Sequence, residues 1–317
     1  MNEVSALDAV VAAAVVAAGF TVSVMASRRA VSNTAELAAG SGIPPFVVGF
    51  TLLALGTDLP EIANSIVSAL AGEGDLNVGD SVGSAMTQST LVLGLLPLIG
   101  GAVMISKPRV MRIGVATVLA LLLGAALMAD GDVSRVDAII LIAAWAASAV
   151  VTWGPPPEEA QMELSLETSE KLKKTLQALV ALAVVGAATV AAVWGLKTLA
   201  EAINTPPFIV AFFGASIGTS LPELIVASTA MRRRQTELAV GDALGATLID
   251  STLSVGIGPL LAPIAVTTSL VVPASLLTAG AVGAVALTLA VRGRHDRKTA
   301  IPFILIYLAF YLLLLNT

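Results

Sequence analysis

Long apolar stretches recur along the whole chain, and they restrict the possible folds more than any other feature of the sequence. Each is close to the roughly 20 residues that a helix needs to cross a bilayer. Closed barrels need alternating polar and apolar residues, so continuous apolar runs leave helices as the spanning structure. The sequence predicts an all-α polytopic membrane protein with ten transmembrane helices, at about 4–27, 43–71, 76–99, 110–129, 133–153, 175–199, 206–230, 237–262, 267–291 and 299–316.

The composition supports a membrane protein and limits its chemistry. Hydrophobic residues make up 56% of the chain and charged residues 12%, with a mean hydropathy of +0.92. A soluble protein would carry about 25% charged residues. The chain contains no cysteine, which excludes disulfides and thiolate metal sites. The lipid bilayer is the expected partner, with no nucleic acid, no cofactor and no enzymatic activity.

The basic residues predict the orientation in the membrane. Positive charges concentrate in inner loops, and the acidic N-terminus has none before Arg28 and Arg29. If the N-terminus lies outside, only Arg135 and Lys197 fall on the outer face. Both termini are therefore expected outside a plasma membrane. The inner loops would then hold Arg28, Arg29, Lys107, Arg109, Arg112, Lys171, Lys173, Lys174, Arg232, Arg233, Arg234, Arg292, Arg294, Arg297 and Lys298.

Two copies of one pattern divide the chain. The segment "PPFVVGFTLLALGTDLPE" from Pro44 matches "PPFIVAFFGASIGTSLPE" from Pro206 at 10 of 18 positions without a gap. At the same spacing, "GDSVGSAMTQSTLVLGLLPLI" from Gly79 matches "GDALGATLIDSTLSVGIGPLL" from Gly241 at 9 of 21 positions. Because each copy has five helices, the copies enter the membrane from opposite sides. Such inverted repeats are typical of secondary transporters, whose substrate site lies near the midplane.

The predicted division is a first five-helix repeat at 1–153, a cytoplasmic linker at 154–174 and an inverted second repeat at 175–317. The linker, "GPPPEEAQMELSLETSEKLKK", is the one long polar stretch. It is interpreted as a solvated connection followed by an interfacial helix, and a regulatory segment is the alternative.

The repeated motif places Glu61 and Glu223 inside apolar spans. A charge at the bilayer centre costs about 2.5–3.5 kcal/mol, so a bound partner is expected. The spans that hold these glutamates contain no Lys or Arg. A cation or proton must therefore neutralise them; the alternative is two permanently protonated glutamates. Pro60 and Pro222 should break the helices and free the carbonyls of Gly56 and Gly218.

The second block of each repeat predicts a facing wall. Asp80, Ser84 and Gln88 recur at four-residue steps, and they correspond to Asp242, Ala246 and Asp250 in the second copy. Carboxylate, amide, hydroxyl and carbonyl oxygens are the ligands that calcium prefers. Glycines in these blocks should let neighbouring helices approach closely, at Gly79, Gly83, Gly241 and Gly245.

On these motifs, "GTDLPE" with "GDSVGSAMTQ" and "GTSLPE" with "GDALGATLID", the sequence resembles the calcium/cation antiporter superfamily, and within it the sodium/calcium exchanger branch. The resemblance implies exchange of Ca²⁺ for Na⁺ by alternating access, with the first and sixth helices sliding across the bundle. It implies Glu61, Glu223 and Asp250 as calcium ligands. Flanking sodium sites would use Thr57, Thr219, Ser220 and Ser84. A monomer can suffice for this fold.

The sequence departs from that family pattern at five positions. Asp58 stands where the family has serine, Gln88 and both Asp80 and Asp242 stand where it has asparagine, and Ala246 replaces serine. The extra acids could favour a divalent ion, bind coupling protons or attract cations at the cavity mouths. The whole predicted cation site comprises Glu61, Glu223, Asp250, Asp58, Thr57, Thr219, Ser220, Ser84, Gln88, Asp80, Asp242, Gly56 and Gly218.

Several alternatives remain at this stage. Proton-coupled relatives carry asparagine for the motif threonine and a histidine after the glutamate, so Thr57 and Thr219 favour sodium. The one histidine, His295, is interpreted as loop surface. The runner-up is an exchanger for Mg²⁺ or Mn²⁺, or a proton-coupled Ca²⁺ antiporter. A cation channel would also use acidic side chains, and an intramembrane hydrolase would need a characteristic aspartate pair.

Overall fold

The computed structural model describes residues 6–38, 54–152 and 168–314. Within these ranges the chain forms ten helices, which confirms the expected all-α membrane fold. Seven of them are long and apolar enough to cross a bilayer, and α2, α5 and α10 are shorter in the described ranges. The helices are α1 (Ala6–Ala38), α2 (Ala54–Thr57 and Leu59–Ala71), α3 (Gly74–Gly100), α4 (Lys107–Leu127), α5 (Arg135–Thr152), α6 (Thr168–Ala202), α7 (Pro207–Arg232), α8 (Thr236–Leu261), α9 (Thr268–Arg292) and α10 (Arg297–Leu314).

The boundaries of the helices repeat along the chain at the same spacing as the sequence motifs, which is the spacing between Pro44 and Pro206. Helix α6 begins at the repeat counterpart of the first residue of α1, and α8 begins at the counterpart of the first residue of α3. Both ends of α10 are the counterparts of the ends of α5. The five-helix repeat is therefore visible in the helix bounds. Residues 153–167 lie outside the described ranges and include most of the predicted linker, whose last residues, from Thr168, already belong to α6.

Helices α1 and α6 form a long pair. They have 33 and 35 residues, which corresponds to about 50 Å each at 1.5 Å per residue. They pack against each other over much of this length. A Cβ atom at Gly19 would lie 2.9 Å from the carbonyl oxygen of Ala188, and one at Gly195 would lie 2.9 Å from that of Ala12. Two glycines, one from each helix, thus allow the close contact.

The remaining helices interlock across the two repeats. Helix α3 lies against the backbone of α7, where a Cβ at Gly79 would come within 2.6 Å of the Phe208 carbonyl oxygen. Gly83 lies in the same way against Phe212, and both phenylalanines are fully buried. The predicted close helix contact is therefore confirmed at Gly79 and Gly83, and it stays a prediction for the corresponding glycines of α8.

Two short ribbons, absent from the sequence-based expectations, join the repeats. Strand β1 (Val103–Met104) pairs antiparallel with β4 (Arg294–His295), and β2 (Asp132–Val133) pairs antiparallel with β3 (Ile264–Ala265). The ribbons lie at opposite ends of α4, since β1 precedes this helix and β2 follows it. Each ribbon links a loop of one repeat to a loop of the other.

Candidate functional site

The break in α2 positions the first motif. The helical segment Ala54–Thr57 ends at Asp58, whose φ of −75° and ψ of 6° lie outside the helical range, and a new segment starts at Leu59. Pro60 has no N–H for the Gly56 carbonyl, which explains the break. Glu61 falls in the first turn of the new segment, where the positive end of the helix dipole favours a carboxylate.

The second motif breaks α7 in the same way. The segment Ser216–Thr219 ends at Ser220, with φ −79° and ψ 5°, and Leu221–Arg232 follows with Glu223 in its first turn. Pro222 leaves the Gly218 carbonyl without its usual donor. Both helix breaks predicted from the prolines are thus confirmed. The hydroxyl of Ser220 is buried and has no hydrogen-bond partner among the described residues.

Helices α3 and α8 supply the facing wall, each through a π-helical turn. The turns span Thr87–Val92 and Asp250–Ser254. Gln88 and Asp250 occupy equivalent positions in the two repeats, and each lies within its turn. A π-helical turn changes the direction of side chains along a helix and occurs often at functional sites. The sequence pattern predicted the wall but not this local geometry.

Three carboxylates meet where the broken helices face this wall. Asp58, Glu61 and Asp250 each place one carboxylate oxygen so that all three oxygens lie within 4.8 Å of one another. An ion bound between them at about 2.3–2.6 Å, the Ca²⁺–oxygen distance, would hold its ligands about this far apart. Asp58, which departs from the family pattern, therefore belongs to the cluster and not to a cavity mouth.

Glu223 adds a fourth carboxylate to this cluster. Its charge interacts with those of Asp58, Glu61 and Asp250, and neither of its carboxylate oxygens has a hydrogen-bond partner among the described residues. Both oxygens of Asp250 and one oxygen each of Asp58 and Glu61 are also without such a partner. A buried unpaired acceptor is costly, and a cation is the partner that would satisfy several at once.

The other two predicted acids bind threonines of the opposite repeat. The Thr219 hydroxyl donates to Asp80 Oδ1 at 3.0 Å, and the Thr57 hydroxyl donates to Asp242 Oδ1 at 3.5 Å. Asp80 also accepts from Asn64 Nδ2 at 2.8 Å, so both of its oxygens are paired. Asp242 Oδ2 has no partner among the described residues. Both acids are fully buried. The alternative expectation, that they lie at the mouths of the cavity and attract cations there, is therefore wrong.

Ser84 and Gln88 connect these groups to the cluster. The Ser84 hydroxyl lies 3.5 Å from Glu61 Oε1 and 3.3 Å from Thr219 Oγ1. Gln88 Nε2 lies 3.5 Å from Asp58 Oδ1, and Gln88 Oε1 is left without a partner in the described part of the chain. The structure thus brings the predicted side chains of both repeats into one continuous polar centre.

The centre has a large imbalance of charge. Six acidic side chains are 0% exposed: Asp58, Glu61, Asp80, Glu223, Asp242 and Asp250. In the ranges that the structure describes, no Lys or Arg side chain is buried. Two ionised carboxylate oxygens 4.8 Å apart repel by about 3.5 kcal/mol at an effective dielectric constant of about 20. The cluster therefore requires counter-charges that the protein itself does not provide.

Comparison with known proteins identifies the family. The model of the family described as "Sodium/calcium exchanger protein" matches residues 11–154 and 173–316, which is most of the chain. The chain belongs to this family. The resemblance inferred from the two motifs is therefore confirmed. A member of the sodium/calcium exchanger family is a membrane transporter, here a cation antiporter, and not an enzyme.

Relatives of this exchanger-family chain cover most of its length. The putative antiporter CaxA of Alkalimonas amylolytica is 28% identical over 262 residues, 80% of this chain and 82% of that protein. The inner membrane protein YrbG of Escherichia coli K12 is 28% identical over 80% of each chain. A solved structure of the sodium-calcium exchanger NCX_Mj, soaked with Na⁺ and Sr²⁺, has a TM-score of 0.65 at 21% identity and covers 95% of this chain and 97% of that one. The exchanger fold is thereby shown.

The expectation for His295 in this exchanger-family chain was wrong. The ring is 0% exposed, with Nε2 2.8 Å from the carbonyl oxygen of Leu93 and Nδ1 2.7 Å from the hydroxyl of Thr299. Pro97 lies four residues after Leu93 and cannot donate to that carbonyl. His295 Nε2–H takes the place of the missing donor. Burial lowers the pKa of His295, so the ring is held neutral.

Sequence reasoning also missed Asn64. This residue lies one turn after Glu61 on α2, where its amide donates to Asp80 and its Oδ1 accepts from Ser68 at 3.2 Å. The signal available in the sequence was a polar residue three positions after the motif glutamate. Its counterpart in the second repeat is Val226, so the repeat comparison did not select it.

Proposed function

We propose that this exchanger-family protein exchanges Ca²⁺ for Na⁺ across the membrane by alternating access at the buried carboxylate cluster. The observation that carries the proposal is the triad of Asp58, Glu61 and Asp250, whose oxygens lie within 4.8 Å of one another deep among the helices. With Glu223 beside it, the cluster offers several unpaired oxygens to a hard cation.

Competition between the two cations follows from the same geometry. A divalent ion neutralises two carboxylates, whereas sodium ions can neutralise them one at a time. The hydroxyls of Thr57, Thr219, Ser220 and Ser84 would supply neutral oxygens for the monovalent ions. Gly56 and Gly218 would contribute the carbonyls freed by the prolines. We assign all thirteen predicted residues to this site, with Asp80 and Asp242 acting through the threonines that they bind.

We further propose that α1 and α6 slide together to open the site alternately to each side. The support is their close contact at Gly19 and Gly195, which holds the two helices together as one unit, while two ribbons join loops next to α3, α4, α5, α8, α9 and α10. The division into repeats at 1–153 and 175–317 with a linker at 154–174 is supported by the two segments that the family model matches. Both termini are proposed to lie outside the plasma membrane.

The test is uptake of radioactive calcium into proteoliposomes containing the purified protein. An outward sodium gradient should drive uptake, and an outward proton gradient is applied in parallel. Uptake driven by protons alone would refute sodium coupling, and absence of calcium uptake under both gradients would refute calcium as substrate. In that case Mg²⁺ and Mn²⁺ are the next ions to measure. Saturation with a counter-ion requirement distinguishes an exchanger from a channel.

The site assignment is tested by Glu61→Gln and Glu223→Gln. Each change keeps the shape of the side chain and removes one ligand charge, so transport should be lost while the protein still folds. Asp132→Asn is the matched control, because it removes a carboxylate that is exposed at the end of the bundle. Retained uptake in either glutamine variant would contradict the assignment.

A further inference from the structure

Helix α3 carries a buried polar stripe that extends beyond the carboxylate cluster. Asn77, Ser81, Ser84 and Gln88 lie three or four residues apart, which places them on one face of the helix. All four are at most 1% exposed. The stripe starts at Gln88, beside Asp58, and continues towards the end of α3 that is joined to α2.

The second repeat has no such stripe. The residues of α8 that correspond to Asn77, Ser81 and Ser84 are Ala239, Ala243 and Ala246, all buried. The neighbouring helices differ in the same way. After the motif glutamate, the polar side chains of α2 and their counterparts in α7 are Asn64 with Val226, Ser65 with Ala227, and Ser68 with Ala230. The two repeats therefore share a backbone but line opposite ends of the bundle with different chemistry.

Polar atoms along the stripe lack partners. Asn77 Oδ1 and Ser81 Oγ have no hydrogen-bond partner among the described residues. Asn77 Nδ2 donates to the carbonyl oxygen of Val255 at 3.3 Å, so Asn77 lies against α8. An unpaired buried polar group is costly, and such groups in proteins are usually paired with water.

We propose that this stripe is a hydrated ion route between the carboxylate cluster and the α2–α3 end of the bundle, and that the alanine wall of the second repeat is a drier closure, which ions pass only when the bundle opens to the other side. The proposal rests on the proposed function in that the cluster must take up a cation. The inference goes beyond the proposed function because it makes the polar lining of the two ends of the bundle unequal. Hydroxyl and amide oxygens replace part of the hydration shell of an ion at one end only. The stripe is closed to bulk solvent in this conformation.

The chain has no cysteine, so single cysteines can be introduced without further changes. We compare Ser81→Cys with Ala243→Cys, its counterpart in the second repeat. A membrane-impermeant cationic methanethiosulfonate reagent is added to either face of proteoliposomes of known orientation. Ser81→Cys should react at least tenfold faster from the α2–α3 side than Ala243→Cys reacts from either side, and calcium should slow the reaction at position 81.

Equal rates for the two cysteines would overturn the proposal, as would labelling of neither. Labelling of Ala243→Cys from the opposite face as fast as labelling of Ser81→Cys from the α2–α3 side would show that the two walls are equally hydrated and would also overturn it. Ser68→Cys and Ala230→Cys provide a second matched pair if a variant of the first does not fold. Labelling does not depend on the driving ion. If sodium does not drive calcium uptake but the labelling remains asymmetric, the proposed function is rejected and the route is retained. Protection from labelling is then tested with Mn²⁺ in place of calcium.

Discussion

Removal of the Asp58 carboxylate should weaken calcium binding strongly. In the variant Asp58→Asn the amide oxygen can still accept from Gln88, so the change removes a charge with little change of shape. A calcium ion about 2.4 Å from one carboxylate oxygen gains about 14 kcal/mol at an effective dielectric constant of about 20. The repulsion of Asp58 by Glu61 and Asp250, at up to 4.8 Å, amounts to about 7 kcal/mol on the same basis, but it is present with and without the ion and therefore affects stability and not calcium affinity.

The lost attraction of about 14 kcal/mol is an upper limit, because water can take the vacated ligand position. We expect at least a 100-fold loss of apparent calcium affinity, which corresponds to about 2.7 kcal/mol. Isothermal titration calorimetry in detergent, supported by the calcium dependence of thermal unfolding, measures this loss. The ion-free variant should also unfold at a higher temperature than the wild type, because two repulsive pairs are gone.

Two outcomes would refute the reasoning. A change of less than threefold in calcium affinity would mean that Asp58 does not contact the ion. An unchanged melting temperature without ions would mean that the three carboxylates do not repel one another as charged groups. Asp132→Asn is again the control, since it lowers the net negative charge by the same amount away from the cluster.

Further predictions concern the fold around the site. Burial lowers the pKa of His295 in the folded protein. The contribution of this residue to stability is therefore fully present above the pKa of the unfolded state, about 6.5, and is lost as the pH falls below that pKa. Thermal unfolding should show this loss in the wild type and not in His295→Gln. Gly83→Ala would force a methyl group against the backbone of Phe212. We expect the free energy of unfolding to fall by about 1–3 kcal/mol, which is measured as a lower melting temperature. Gly186→Ala, whose Cβ would lie in open space, should leave the melting temperature unchanged. Asp80→Ala should lower transport more than Asp80→Asn, because asparagine still accepts from Thr219; equal rates would contradict the role given to this hydrogen bond.

Some of the site could be predicted from the sequence because its causes are local. Pro60 and Pro222 break their helices wherever they are placed, and Glu61 and Glu223 follow them directly. The absence of nearby Lys or Arg could also be read from the sequence. The hydrogen bonds between threonines of one repeat and aspartates of the other could not be predicted, since nothing local distinguishes Asp80 from Asp242 as the acceptor for Thr219. The same holds for His295, whose function depends on a carbonyl 202 residues away in α3.

The contacts between the repeats also have a consequence for biosynthesis. Thr57 donates to an aspartate that follows it by 185 residues, and the Asp132–Val133 strand pairs with one that starts at Ile264. When the first five helices leave the ribosome, none of these partners has yet been made. The first half must therefore remain in the bilayer with its acidic residues unassembled until the second half is inserted. Final packing of the bundle is a late event that follows translation of the whole chain.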